Sequence, residues 1–381
     1  MNADITIIGG GLAGSAAAIL LARAGRDVLL IERDSQPVHK VCGEFLSQEA
    51  LGYLDLLGLD ATALGAVPIR SVRLAHHDQR SEAPLPFAAK SLTRRTLDAH
   101  LLQLVESSGA RVLRSRVHAI EHTDHGWSAR LEDGNIVSSP NTFLATGKHD
   151  ISRRPRPKGK QPNLVAFKMY FRLSPQQAAE LDAHVELLLY SGGYAGLQPV
   201  EDNAANLCCL IDRSELQRIG GRWPDLLRSM QRDCSLLRER LQGASPLLEK
   251  PLAISSIPYG YVRPASDGLW ALGDQAAVIP SFTGDGMSIA LHSGCLAATM
   301  FLSGQTAAQF QHQLHQELAT QVALATTLSR GLIWEPSRHL FTAAVSIWPQ
   351  VLGTVARSTR ISSTAVANAS HIPIPTPHLS S

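Results

Sequence analysis

Changes in the period of the apolar residues divide the chain into elements. Residues 5–8 (Ile5-Thr6-Ile7-Ile8) form a run suited to a buried strand. Residues 15–24 are rich in Ala and Leu, free of proline and closed by Gly25, and residues 27–31 form a second strand-like run. Helical spacing returns at 47–59. Residues 71–87 read as short strands interrupted by Pro84 and Pro86, and residues 96–108 place Leu97, Leu101, Leu104 and Val105 on one helical face before Gly109. Residues 111–117 alternate as a strand, 127–131 and 135–137 flank the hairpin pair Asp133-Gly134, and 142–145 form a short strand that enters a turn at Gly147.

Apolar periodicity is lost at 152–162, where Arg, Lys, Pro and Gly crowd together, and a second unit begins there. Residues 165–173, 185–190, 194–200 and 205–211 read as strands of an antiparallel sheet, with helices at 175–184 and 224–241. The first unit resumes with a short strand at 269–272, a glycine-rich bend and an apolar helix at 287–302. Helices continue to about residue 360; Ser, Thr, Pro and His then dominate to Ser381, the composition of a disordered tail.

A chain of 381 residues, 44 % hydrophobic and 18 % charged, is long enough for about two or three packed units. Its formal charge of +2 excludes a protein whose affinity comes from neutralising many phosphates, so nucleic acid is not an expected partner. Five cysteines with no C-x-x-C pair make neither a disulfide framework nor a zinc site, and they suit a reducing cytoplasm. Strand alternation sends His76 and His77 to opposite faces, and His312 and His315 lack further ligands at a suitable spacing, so no metal site is expected. The N-terminus runs straight into a strand-like segment without the basic region and small-residue cleavage site of a secretory leader, so export is not expected. Residues 340–356, the longest uncharged stretch near the C-terminus, fall short of a bilayer span and contain Pro349; they read as a kinked helix pair docked on the core rather than a membrane-surface segment.

Chemistry begins at Gly9-Gly10-Gly11-Leu12-Ala13-Gly14, a G-x-G-x-x-G between strand and helix. Gly9 serves a tight turn, Gly11 lets a pyrophosphate approach the backbone, and Gly14, with small Ala13, brings helix and strand close. The helix N-terminus offers free N–H groups to the diphosphate, and Glu32, eighteen residues after Gly14 at the end of the second strand, can accept from ribose hydroxyls. The fingerprint fits NAD and FAD equally.

Gly273-Asp274 follows a short strand, and Pro280-Ser281-Phe282-Thr283-Gly284-Asp285-Gly286-Met287 opens the next helix. With these segments the sequence resembles the glutathione-reductase-type FAD-binding proteins, and among them the branch containing aromatic hydroxylases and geranylgeranyl reductases. The resemblance spans most of residues 1–300. It implies an α/β protein: a Rossmann-like FAD-binding domain (1–70, 91–160 and 258–302), an inserted antiparallel-sheet α+β substrate domain (71–90 and 161–257), C-terminal helices (303–360) and a tail (361–381). It further implies that Asp274, after Gly273, holds the ribityl chain. Pro280, Gly284, Gly286 and Met287 would set a helix N-terminus beside the flavin pyrimidine, where backbone N–H groups stabilise negative charge. Asp285 either joins that site or caps the helix. Arg94, in Arg-x-x-Leu-Asp, approaches the cofactor or is a solvated helix-start cation, and Val117 meets the adenine through its backbone. Arg33 beside Glu32 belongs to the same set.

Residues 39–47 resemble the Lys-x-Cys-Gly segment of geranylgeranyl reductases, which implies that Lys40, Cys42 and Gly43 pass beside the isoalloxazine. Cys42 is then the candidate catalytic residue, or a small buried apolar one. The chain departs from the branch in three places. An Asp-Gly motif linked to nicotinamide use is replaced by Thr146-Gly147, and a Tyr-x-Trp-x-Phe-Pro strand by Tyr194-Ala195-Gly196-Leu197-Gln198-Pro199. The Trp-x-Trp-x-x-Pro of flavin halogenases is missing, which disfavours halogenation. No second G-x-G-x-x-G is present, so NAD(P)H would bind only transiently as electron donor.

Phe167, Met169, Tyr190, Tyr194, Leu197, Tyr259 and Phe282 are candidates for the wall of a pocket for a lipophilic or aromatic small molecule. The preferred reading is an FAD-dependent monooxygenase hydroxylating an aromatic or polyketide-like lipophilic molecule. The alternative is a flavin-dependent reductase saturating alkenes of a prenyl or other lipophilic substrate, and a non-enzymatic flavin-binding protein comes third.

Overall fold

The computed structural model describes residues 2–370. Ile5–Ile8, buried on both faces, lies at the centre of a five-stranded parallel sheet in the order Trp270–Ala271, Asn141–Leu144, Ile5–Ile8, Val28–Glu32, Arg111–Arg114. A parallel sheet must be covered on both faces. The Ala-rich helix Leu12–Arg23 lies between this sheet and Gly286–Leu302, whose Gly294 permits the close crossing: a Cβ there would sit 2.3 Å from the Ala13 carbonyl oxygen. The opposite face is covered by the meander Val117–Thr123, Gly126–Leu131 and Ile136–Ser139, whose hairpin turns at Gly134 with φ +86°.

The second sheet has nine strands. Leu164–Arg172, Ala204–Asp212, Gly193–Val200 and His184–Tyr190 follow one another antiparallel, and Val67–His76 then runs parallel to His184–Tyr190 and antiparallel to Gln79–Ser91. The first of the two hairpin strands begins at Val67, earlier than the expected boundary at 71, and Phe45–Leu46 adds an edge strand from the first unit. The helix expected at 224–241 is two, Trp223–Asp233 and Ser235–Arg240. It breaks at Cys234, where the Asp233 carbonyl accepts from His77 N–H and Ser235 N–H donates to the His77 carbonyl.

After Gly286–Leu302 come Ala307–Ile333, Glu335–Ile347 and Gln350–Ser358. The uncharged 340–356 stretch is split at Trp348-Pro349. Val345 and Leu352 are buried, while Leu340, Ile347 and Trp348 are exposed. The expected tail is ordered further than its composition suggests. Ser363–Ser370 is a helix that buries Ala365 and Ala369 against Gly286–Leu302, and Thr299 Oγ1 donates to the Ala369 carbonyl at 3.2 Å. Residues 371–381 of that expected tail lie outside the described residues. No helix among the described residues is long and apolar enough to cross a membrane.

Candidate functional site

The first strand ends in a bend that only glycine can make. Gly9 has φ +108°, and a Cβ there would lie 2.4 Å from the Ala145 carbonyl oxygen; one on Gly14 would lie 1.9 Å from the Gly9 oxygen. Gly11 is the N-cap of Leu12–Arg23 and has no side chain to cap it, so the first N–H groups of that helix are left for a ligand. Glu32 is buried, and its carboxylate accepts from Gly10 N–H at 2.6 Å and Asp34 N–H at 3.0 Å. Arg94 is not a solvated cation: its guanidinium reaches the Gly11 bend and makes two bonds, 2.8 and 3.0 Å, to buried Asp98, which also holds Lys40 Nζ at 3.0 Å. Burial alone would raise the Asp98 pKa, but Arg94 and Lys40 outweigh it and hold that carboxyl below its ordinary value.

A second helix N-terminus faces the same space. Gly284 turns at φ +70°, with a Cβ position 2.7 Å from the Phe45 ring, and Gly286 opens the helix Gly286–Leu302 with no atom within 4 Å of where its Cβ would be. The Asp274 carboxylate makes no hydrogen bond to another described residue and lies on the wall of this space. Asp285 stands at the N-cap position of the helix Gly286–Leu302, but its side chain makes no capping bond and does not reach the cavity: it is turned into the core, 3.1 Å from Arg360 Nη1 and bonded by Gln321 Nε2. Burial pushes its pKa up to about 6 despite Arg360. Arg360 also donates to the Thr283 carbonyl, and Gln321 to the Thr359 carbonyl, so the C-terminal segment is tied beneath the glycine bend.

Between the two helix ends runs the Val41-Cys42-Gly43-Glu44 loop. Lys148 Nζ donates to the Val41 carbonyl at 2.6 Å, and Asn206 Nδ2 donates to the Cys42 and Gly43 carbonyls at 3.2 and 2.8 Å. Glu44, at φ +62°, buries its carboxylate 2.6 Å from Lys168 Nζ, accepts from Tyr170 OH at 2.7 and 2.8 Å, and accepts from Arg94 N–H at 2.7 Å. Glu44 and Lys168 are both fully buried; desolvation raises the Glu44 pKa and Lys168 opposes the shift. Sequence reasoning missed Glu44, Lys168 and Asn206. A signal was available: a lysine inside the apolar strand Leu164–Arg172 has to point inward to a partner.

These elements enclose one cavity of about 870 Å³, at the large end of small-molecule sites. Its wall includes Gly9, Gly11, Leu12, Ala13, Glu32, Arg33, Lys40, Cys42, Gly43, Arg94, Val117, Thr146, Gly147, Gly273, Asp274, Gly284, Gly286 and Met287, and beyond them Tyr194, Tyr259 and Phe282. Gly14 and Pro280 shape the bends from behind the wall. Phe167, Met169, Tyr190 and Leu197 do not reach the cavity; they pack with Leu226, Met230 and Leu236 on the far face of the second sheet. Side chains alternate along a strand, so Tyr194 on the cavity face puts Leu197 on the other. Their places are taken by Val72, Leu85, Phe87 and Leu187 of the sheet and by Leu332 and Phe341 of the late helices, which were not foreseen.

Two uncapped helix N-termini, a buried acid beside the glycine bend and a free carboxylate at the other end fit an elongated dinucleotide with a charged centre and a polar head. The fold contains a Rossmann-like FAD-binding domain, and this cavity lies where such a domain would hold its cofactor.

Residues 2–141 match the FAD binding domain family. The chain is 26 % identical to the menaquinone reductase of Mycolicibacterium smegmatis over 91 % of each protein. It is 27 % identical to digeranylgeranylglycerophospholipid reductase 2 of Methanopyrus kandleri over 78 % of this chain and 76 % of that one. Among solved structures, a flavin-dependent brominase superposes with a TM-score of 0.78 at 18 % identity, covering 94 % of this chain and 93 % of its own, a likeness of fold alone.

Proposed function

We propose that the protein is a reductase of the glutathione-reductase-type flavoprotein class that saturates an alkene in an elongated, isoprenoid-like lipophilic substrate. It would work in the cytoplasm with NAD(P)H as transient electron donor. The observation that carries this reading is continuity: the cavity that begins at the glycine bend runs on, past the Gly286 helix end, into an apolar chamber walled by Val72, Phe87, Leu187, Leu332 and Phe341. A long apolar molecule can lie there with one segment against the cofactor head. Two similarities favour reduction over the hydroxylation preferred from sequence. The relatives that align along most of their length are named as reductases of menaquinone and of a digeranylgeranyl lipid, and the Cys42-Gly43 loop lies on the cavity wall.

Bound FAD supplies an electron pair as hydride. The rest falls to the chain: the backbone N–H groups at Gly11 and Gly286 would hold its diphosphate and ring head, and Arg94 would place a cation beside the former. Tyr194 lines the cavity with its hydroxyl 3.4 Å from Ser281 Oγ, and burial raises its pKa, so the phenol stays protonated and can give the proton that the second alkene carbon requires. One hydride and one proton balance the saturation without oxygen.

The test is to reduce the flavin-loaded protein anaerobically with NADPH, NADH or dithionite, present menaquinone or a geranylgeranyl lipid, and weigh the products by mass spectrometry. Gain of two hydrogens per double bond without O₂ is the expected result. Oxygen-dependent gain of a single oxygen atom overturns it in favour of hydroxylation.

A further inference from the structure

We propose that His76, His77 and His339 form a binding site for one divalent transition-metal ion of the Zn²⁺ or Co²⁺ type, on the outer side of the substrate chamber. Strand alternation would separate His76 from His77, but the strand ends between them. His77 sits in the turn at φ +53°, so both rings come to the same side, with centroids 4.2 Å apart. Helix Glu335–Ile347 brings His339 over them, its ring centroid 4.9 Å from that of His76, and one ligand nitrogen from each residue lies within 4.8 Å of the others.

A second observation points to a ligand. His76 is 3 % exposed, and its Nε2 is buried without a hydrogen-bond partner among the described residues. A buried ring nitrogen left unpaired is costly unless something coordinates it. Three imidazoles are the donor set of an open tetrahedral zinc site, which needs its nitrogens roughly 3.3 Å apart at metal–nitrogen distances of about 2.0–2.1 Å, with water in the fourth position. His77 and His339 are exposed and can rotate inward by the remaining distance, while His76 stays fixed.

The surroundings are compatible with a cation. Glu335 Oε1 lies 3.9 Å from His339 Nε2, too far to hydrogen-bond the ring but close enough to add negative charge beside the site. The buried Arg338 guanidinium, whose Nη1 donates to the Tyr190 carbonyl at 2.8 Å, acts against positive charge at His76, and Asp233 acts in its favour. The ion would fasten the hairpin of Val67–His76 and Gln79–Ser91 to the helix Glu335–Ile347. Both supply chamber wall, Val72, Leu85 and Phe87 from one and Phe341 from the other.

The experiment uses untagged, flavin-loaded protein stripped with a chelator. Co²⁺ is titrated by visible absorbance and Zn²⁺ by competition with a chelating dye. One saturable ion per chain is expected, weakened at least about tenfold in H77A and in H339A, and unchanged in H118A, an exposed histidine elsewhere. Because His77 and His339 lie at the surface, both variants should keep the flavin spectrum and the far-UV dichroism of the parent. Absence of a saturable one-per-chain site, or binding that H77A and H339A leave untouched, overturns the proposal.

Discussion

Lys168→Met isolates the buried charge that anchors the cysteine loop. Lys168 and Glu44 are fully buried and 2.6 Å apart, so the substitution leaves a carboxylate in a dry site without its counter-ion. Breaking such a pair costs about 3–5 kcal/mol. Glu44 keeps Tyr170 OH and Arg94 N–H as donors and can take up a proton, which places the loss near about 3 kcal/mol at neutral pH. At roughly 2 °C per kcal/mol for a large chain, the melting temperature should fall by about 6 °C.

The pH dependence is the sharper readout. Desolvation already raises the Glu44 pKa, Lys168 is the largest opposing influence, and its removal lifts that pKa further. A folded-state pKa above the unfolded value contributes stability that is complete below the unfolded pKa and lost as pH rises through the folded one. The deficit of K168M relative to wild type must therefore shrink toward pH 5 and widen toward pH 8. Glu44→Gln in the K168M background should recover part of the loss, since no charge then remains to bury. Melts followed by flavin fluorescence and by circular dichroism at the two pH values decide it. A K168M protein as stable as wild type at pH 8, or a deficit independent of pH, would refute the reasoning.

How much of this was legible in the sequence depends on how many constraints met at each residue. The glycine bend could be read because close backbone approach at Gly9 and Gly14 excludes every side chain, and the acidic end of the second strand could be read from its distance to that bend. The pocket wall could not. Leu164–Arg172 and Gly193–Val200 are buried on both faces, so the alternation that would tell cavity side from core side is absent, and Phe167 and Met169 looked as eligible as Tyr194. Asp285 was misplaced for a different reason: it sits among cofactor-facing glycines, yet its partners, Gln321 and Arg360, are 36 and 75 positions further along the chain. The His76–His77 pair needed knowledge of where a strand stops, which a single positive φ decides.

Gly14→Ala should abolish the yellow colour of the purified protein, because its Cβ would fall 1.9 Å from the Gly9 oxygen; a full complement of FAD in that variant would contradict the cradle. Tyr194→Phe should leave flavin content and substrate KM near wild type while lowering kcat by about 10²-fold, the scale of a lost proton donor, and an unchanged kcat would remove Tyr194 from the chemistry. Asp285→Asn should flatten a slope in the stability profile. The folded pKa of Asp285, about 6, stands above the ordinary 3.8, so its contribution is present below pH 3.8 and disappears as pH rises through about 6. That interval corresponds to about 3 kcal/mol, and denaturant midpoints measured from pH 4 to 7 should decline less steeply in D285N than in wild type, the slope that remains coming from groups such as Glu44. Parallel profiles would mean that Arg360 and Gln321 already hold the carboxylate ionised throughout, and that the tie beneath the glycine bend is a permanent ion pair.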